Sequence, residues 1–230
     1  MPFGLFDPTM ILLLPALAFA FWAQHRVNST FERWKQVPAS GGLTGQDVAR
    51  SILNRNALGQ VAILEVGGRL SDNYDPRKKA VSLSGEIYRN PSVAALSVAA
   101  HECGHALQDQ AGYAPLGFRS AIVPVAGFSS AAAFPIFLIG FFFGRGLGWL
   151  MDVGILLFAA ALVFHLVTLP VEFNASSRAM EQLSKGGYLA PEETRGAREV
   201  LNAAALTYVA ATAMAAIQLL RLLVLRSSRR

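Results

Sequence analysis

The residues with the clearest chemical potential are two histidines four apart with a carboxylate beside the first, in His101-Glu102-Cys103-Gly104-His105. On a helix, positions i and i+4 share one face about 5–6 Å apart at Cβ, so both imidazoles can reach one ion. The Glu102 carboxylate is then directed at the fourth coordination position, where it can take a proton from a metal-bound water and pass it to a leaving amine. Zinc suits this arrangement, because a catalytic zinc takes three protein ligands plus one open position and brings the pKa of its water to about 7. The spacing predicts one Zn2+ per chain, with His101 and His105 as ligands and Glu102 as general base. A pair of hydrogen-bonded histidines on an exposed helix face is the bland alternative. Two of the chain's four histidines standing at this one spacing around a glutamate weigh against it.

A third ligand must come from elsewhere. The metzincin pattern would need Gly at position 108 and His at 111, where the chain has Gln108 and Ala111. Asp109 lies on the same helix as both histidines and cannot easily reach a third tetrahedral position, though it could orient an imidazole. Asp152 sits near the far end of its apolar run. Glu172 follows Pro170 where that run ends, and Ala175, Ser176 and Ala179 lie on or near its helical face, small enough for another helix to approach. Glu172 is therefore the expected third ligand; otherwise it is an interfacial carboxylate, solvated or paired with Arg178. His165, inside the apolar run, is the competing candidate. Its simpler reading is a neutral histidine bonded to a neighbouring helix. His25 reads as an interfacial residue.

These residues have to be positioned by a chain of 230 residues, 53% apolar and only 15% charged. Soluble domains carry about 25% charged residues, so the deficit points to lipid. The single cysteine, Cys103, excludes an intramolecular disulfide framework and a cysteine-built zinc site. The formal charge of +5 does not mark nucleic-acid binding, since the basic residues form no stripe and lie mainly between apolar runs. A spanning helix needs roughly 20 apolar residues. Segments 121–144, 147–170 and 203–220 meet that, and 10–23 does so if Phe3 to Phe6 extend it. No Lys or Arg precedes this first segment, so it reads as a retained anchor and not as a cleaved signal peptide.

The expected organisation is a mainly α membrane protein with about four transmembrane helices and a small α+β zincin-like catalytic domain. Its parts are an anchor (1–24), a catalytic region (25–120), a transmembrane hairpin (121–170), a third-ligand helix (171–202) and a C-terminal membrane helix with a basic tail (203–230). The hairpin turns at Gly144-Arg145-Gly146, which puts 24–120 and 171–202 on one side of the bilayer. That side carries fifteen Lys and Arg against five on the other, so the positive-inside rule places it in the cytoplasm of a multi-pass cell-membrane protein. Gly140 and Gly144 match a small-xxx-small packing motif.

Within the catalytic region, Thr44 and Asp47 fit a capping box opening a helix to about Arg55. Residues 61–66 alternate weakly like a strand. Arg69-Leu70-Ser71 and Ala80-Val81-Ser82-Leu83 flank the polar turn 72–77 and read as a hairpin. Ser92 can cap an Ala-rich core helix that runs to about Gln110 and carries the histidine pair.

Asp72-Asn73-Tyr74-Asp75-Pro76-Arg77, Val81-Ser82-Leu83-Ser84 and Ser92-Val93-Ala94-Ala95, running into His101-Glu102-Cys103-Gly104-His105-Ala106-Leu107-Gln108, resemble the bacterial neutral zinc metallopeptidases of the YugP type. Leu169-Pro170-Val171-Glu172-Phe173-Asn174-Ala175-Ser176-Ser177-Arg178-Ala179 resembles their second hallmark. The resemblance implies that His101, His105 and Glu172 bind zinc as in gluzincins, with Glu102 the base. These proteins look distantly similar to the membrane peptidases of the HtpX and Ste24 kind, which carry an Asp four residues after the ligand Glu that can support a histidine. Here that position is Ser176, leaving Asp109 or Asn174 to substitute. Under this reading Val81 to Ser84 is the edge strand that would pair with an extended substrate.

The expected activity is hydrolysis of membrane-associated or misfolded polypeptides by a zinc metalloendopeptidase. Two other classes stay open at this point: a zinc-stabilised membrane scaffold without turnover, and a zinc hydrolase of a lipid or small amide. Glu102 speaks against the scaffold, because a structural zinc site fills all four positions and needs no base.

Overall fold

The computed structural model of the protein describes residues 8–68 and 71–228. The extension through Phe3 and Phe6, the strand start at Arg69 and Leu70, the side chain of Arg145 and the charges of Arg229 and Arg230 lie outside the described residues. A 3-10 helix, Pro8–Leu13, leads into α1 (Leu14–Lys35), followed by α2 (Gly45–Arg55), β1 (Ala62–Val66), β2 (Asn73–Asp75), β3 (Ala80–Ser84) and α3 (Gly85–Tyr88). Then come α4 (Val93–Gln110), α5 (Ala114–Phe142), α6 (Gly144–Leu147), α7 (Trp149–Gly186) and α8 (Pro191–Ser227). Helix dominates, and four helices among the described residues are long and apolar enough to cross a membrane: Pro8–Lys35, Ala114–Phe142, Trp149–Gly186 and Pro191–Ser227. All four outrun the expected apolar segments at one end or both, because the flanking sequence continues the same helical hydrogen-bond ladder.

The chain divides into two compact units. One comprises Met1–Gln24, Phe118–Leu169 and Thr207–Arg230; the other comprises His25–Gly117 and Pro170–Leu206. The first is apolar on the outside as well as within, with Leu156 71% and Phe128 65% exposed, as lipid-facing helices require. Its helices approach closely at small residues: a Cβ on Gly154 would stand 2.7 Å from the carbonyl oxygen of Ala133, and one on Gly140 2.6 Å from the amide of Met151. Gly140 thus serves packing within the chain, whereas a Cβ on Gly144 would meet nothing within 4 Å. Asp152 is held at both oxygens by the Arg226 guanidinium, at 2.8 Å each.

The second unit is a core built around α4. The Ser92 hydroxyl accepts from the Ala95 amide at 3.2 Å to cap this helix, and the residues that follow are buried almost all round. Such a helix has no solvent face and belongs inside a protein. Val48, Ile52 and Leu53 of α2, Val81 and Leu83 of β3 and Ile87 of α3 pack in the same cluster as Leu96 and Ala100. The capping box on α2 is complete, with Thr44 and Asp47 each bonding the other's backbone amide.

The sheet departs from expectation. Its order is β1-β3-β2, with β3 parallel to β1 and antiparallel to β2. β3, expected at an edge, is the central strand of this three-stranded sheet of described residues, and β1 and β2 form its edges. The reason is the burial pattern: Ala80, Val81, Leu83 and Ser84 are buried, which suits a strand covered on both sides, whereas β1 is mostly exposed. The hairpin exists, but its first strand is Asn73–Asp75, inside the segment read as the turn. The turn tightens to 76–79 because Asp75 Oδ1 accepts from the amides of Arg77 and Lys78.

Candidate metal centre

Two helices of the second unit supply the site. α4 presents His101 and His105 one turn apart, with their rings edge to face at 4.8 Å between centroids. α7 brings Glu172, two residues after Pro170, to the same point. The Glu172 Oε2 atom lies 3.2 Å from His101 Nε2 and 3.6 Å from His105 Nε2. The candidate ligand atoms of the three residues all fall within 4.8 Å of one another. His165 and His25, considered from sequence, are not members of this cluster, and Asp152 is occupied by Arg226.

What lets the helices come so close is the absence of side chains at the crossing. A Cβ on Gly104 would stand 2.4 Å from the carbonyl oxygen of Ala175. Ala175 and Ala179 are fully buried, as the small residues on the Glu172 face predict. Gly104 sits between the two histidines' turns and Ala175 sits three residues past Glu172, so one close approach aligns all three groups.

Burial sets the charge state of the site. Glu102 is 7% exposed and Glu172 2%. Burial pushes the Glu102 carboxyl above its usual range; the two histidine rings pull it back, and the charges of Glu172 and Asp72 add to the rise. For His105 burial acts the other way, towards the neutral ring, but the Glu172 carboxylate 3.6 Å away and the charge of Glu102 prevail and hold its pKa above the ordinary value. Both groups are thus held above their ordinary values, Glu102 by burial and His105 by the carboxylates around it.

Each histidine is also held from behind. Ser176 Oγ lies 3.2 Å from His101 Nδ1, and Gln108 Oε1 lies 3.0 Å from His105 Nδ1. Ser176 thus stands where a supporting carboxylate would be expected, as a shorter hydroxyl. Asp109 does not take that part: its carboxylate bonds Lys79 Nζ and accepts from Tyr74 Oη at 2.6 Å, tying β2 and the following turn to α4. Asn174 acts one step removed, through Gln108. Gln108 was missed from sequence, although its place three residues after His105 puts it within reach of that ring. Two Nε2 atoms and one carboxylate oxygen converging in a buried pocket, with both Nδ1 atoms bonded elsewhere, form a donor set that fits zinc.

The sequence model of a family described as "Putative neutral zinc metallopeptidase" matches residues 9–227. The chain belongs to this family. It is 47% identical over 212 residues to the "Putative membrane protease YugP" of Bacillus subtilis (strain 168), a match covering 92% of this chain and 93% of that protein. No solved structure gives a significant match. Family membership makes zinc the metal to set against the His101, His105 and Glu172 cluster, and makes peptide hydrolysis the activity to set against its chemistry. The name of that relative and the four apolar helices of this chain agree on a membrane protein.

Proposed function

We propose that the protein is a gluzincin-type zinc metalloendopeptidase that cuts membrane-associated or misfolded polypeptides at the cytoplasmic face of the cell membrane. The observation that carries this reading is the convergence of His101, His105 and Glu172 beside a buried glutamate, Glu102. One zinc per chain, held by those three residues, would supply Lewis acidity for the scissile carbonyl and lower the pKa of a water in the open position to about 7. Glu102 is the general base: its carboxylate takes a proton from the attacking water and delivers it to the leaving amine nitrogen. Its raised pKa suits both halves of that task, since a carboxyl that holds a proton more readily than usual also serves as an acid. Ser176 and Gln108 hold the two imidazoles in line.

The catalytic region, expected over 25–120 and completed by the third-ligand helix of 171–202, is a small α+β zincin-like domain under this reading. The excess of Lys and Arg in those segments supports the cytoplasmic side. The deciding experiment compares wild type with Glu102→Gln on casein and on a membrane-protein substrate. The variant should keep about one zinc per chain while proteolysis falls by about 10²–10⁴-fold. Proteolysis at the wild-type rate in the variant would overturn Glu102 as the base. A wild type that takes up no zinc would overturn the whole reading.

A further inference from the structure

Behind His105 lies a run of hydrogen bonds whose direction is fixed by chemistry. Arg178 can only donate, and its Nε points at Asn174 Oδ1 at 2.9 Å. Asn174 therefore turns its oxygen, not its amide nitrogen, towards Arg178. The same oxygen accepts from Gln108 Nε2 at 3.0 Å, and Gln108 Nε2 also donates to the carbonyl oxygen of Val171 at 2.8 Å. A carbonyl only accepts, so two independent acceptors pin the Gln108 amide with its nitrogen towards α7. Its oxygen must then face His105, 3.0 Å from Nδ1. An amide oxygen cannot donate, so that contact requires a proton on Nδ1.

We infer that Gln108, oriented by Val171, Asn174 and Arg178, is a positioning residue that holds neutral His105 in its Nδ1–H form and leaves the Nε2 lone pair for a metal. The competing form is Nε2–H pointing at Glu172, whose carboxylate would otherwise attract that proton, but the 3.6 Å separation makes this a poor hydrogen bond. Gln108 is fully buried, so no water can replace its oxygen at Nδ1. A ring locked in the binding form meets the ion without first moving a proton between its nitrogens. Outer partners of this kind are worth about 10–100-fold in metal affinity. The inference rests on the metal reading given above, yet the tautomer it concerns exists without any metal.

The test uses full-length, metal-free protein labelled with ¹⁵N-histidine in detergent, at about pH 9 so that the ring is neutral. The four histidines are assigned by removing His25, His165 and His101 in turn. Wild-type His105 should show the Nδ1–H pattern. Gln108→Leu should shift it to Nε2–H and weaken zinc binding 10- to 100-fold. Asn174→Leu should shift it part-way, whereas Asn174→Asp, which keeps the acceptor oxygen, should restore the wild-type pattern. If Gln108→Leu does not fold, the two Asn174 variants decide. An Nε2–H ring in the wild type, or a tautomer and zinc affinity untouched by both leucine variants, would overturn the inference. A wild type with the Nδ1–H ring but no zinc affinity would instead remove the metal reading and leave the relay standing.

Discussion

Gly104 and Ala175 meet backbone to backbone: the position of a Cβ on Gly104 lies 2.4 Å from the Ala175 carbonyl oxygen, closer than any real side chain could sit. This single approach sets the separation of α4 from α7, and with it the distance from two histidines to the carboxylate that completes their cluster. The glycine of the motif is therefore a matter of helix spacing. Each group it aligns can be tested separately.

Adding one methyl at that crossing should push the helices apart. Overpacking costs typically 1–3 kcal/mol, and here the displaced partner is a backbone oxygen that cannot rotate away. Gly104→Ala should lower the unfolding midpoint and also weaken zinc binding, measured by competition with a chelator. Wild-type zinc affinity in a folded Gly104→Ala protein would show that the crossing does not set the site's geometry.

Removal of Glu172 should be felt at the metal more than removal of any outer partner. Glu172→Ala is expected to lower zinc affinity beyond the roughly 10–100-fold that an outer-shell change costs. His165→Ala, in the apolar unit, should leave it unchanged. The reverse order would reassign the third ligand to His165.

Ser176 offers a graded probe, because its hydroxyl bonds His101 at Nδ1. Ser176→Ala should weaken zinc binding by about 10-fold, and Ser176→Asp, by making the ring more basic, should strengthen it. Equal affinities in all three proteins would mean that the hydroxyl does not orient the ring.

In the metal-free protein the His105 pKa lies above its unfolded value of about 6.5. Its contribution to stability is then complete below about pH 6.5 and fades as pH rises through the folded value. Zinc displaces that proton, so the stabilisation given by zinc should grow across the same interval. Thermal unfolding with and without zinc, from about pH 6 to about pH 9, should show the gap between the two curves widening. A gap that narrows as pH rises would contradict the assignment of His105 as a ligand.

A reporter inserted at Gly187, in the turn after α7, tests the membrane orientation. Fifteen of the twenty basic residues lie on that side by the sequence reading, so the reporter should respond as cytoplasmic. A response from the opposite side would reverse the topology.

The local features of this chain were legible in its sequence because their causes are local. The spacing of His101 and His105, the Ser92 cap of α4, the Thr44 and Asp47 box of α2 and the apolar runs all act within a turn or two of helix, or across one bilayer thickness. Even Glu172 could be found, since a carboxylate next to small residues just past an apolar run is unusual enough to stand out. What sequence could not decide were relationships between segments far apart along the chain. The order of the sheet depended on which strand the core would cover, and burial of Val81 and Leu83 put β3 in the centre. The supports of the histidines depended on which side chains of α7 face α4 once Gly104 admits Ala175. That crossing gave Ser176 to His101, joined Asn174 to Gln108 behind His105, and left Asp109 to Tyr74 and Lys79. Residue type and spacing determined which groups could bind a metal; only the packing of two helices determined which atoms hold those groups in place.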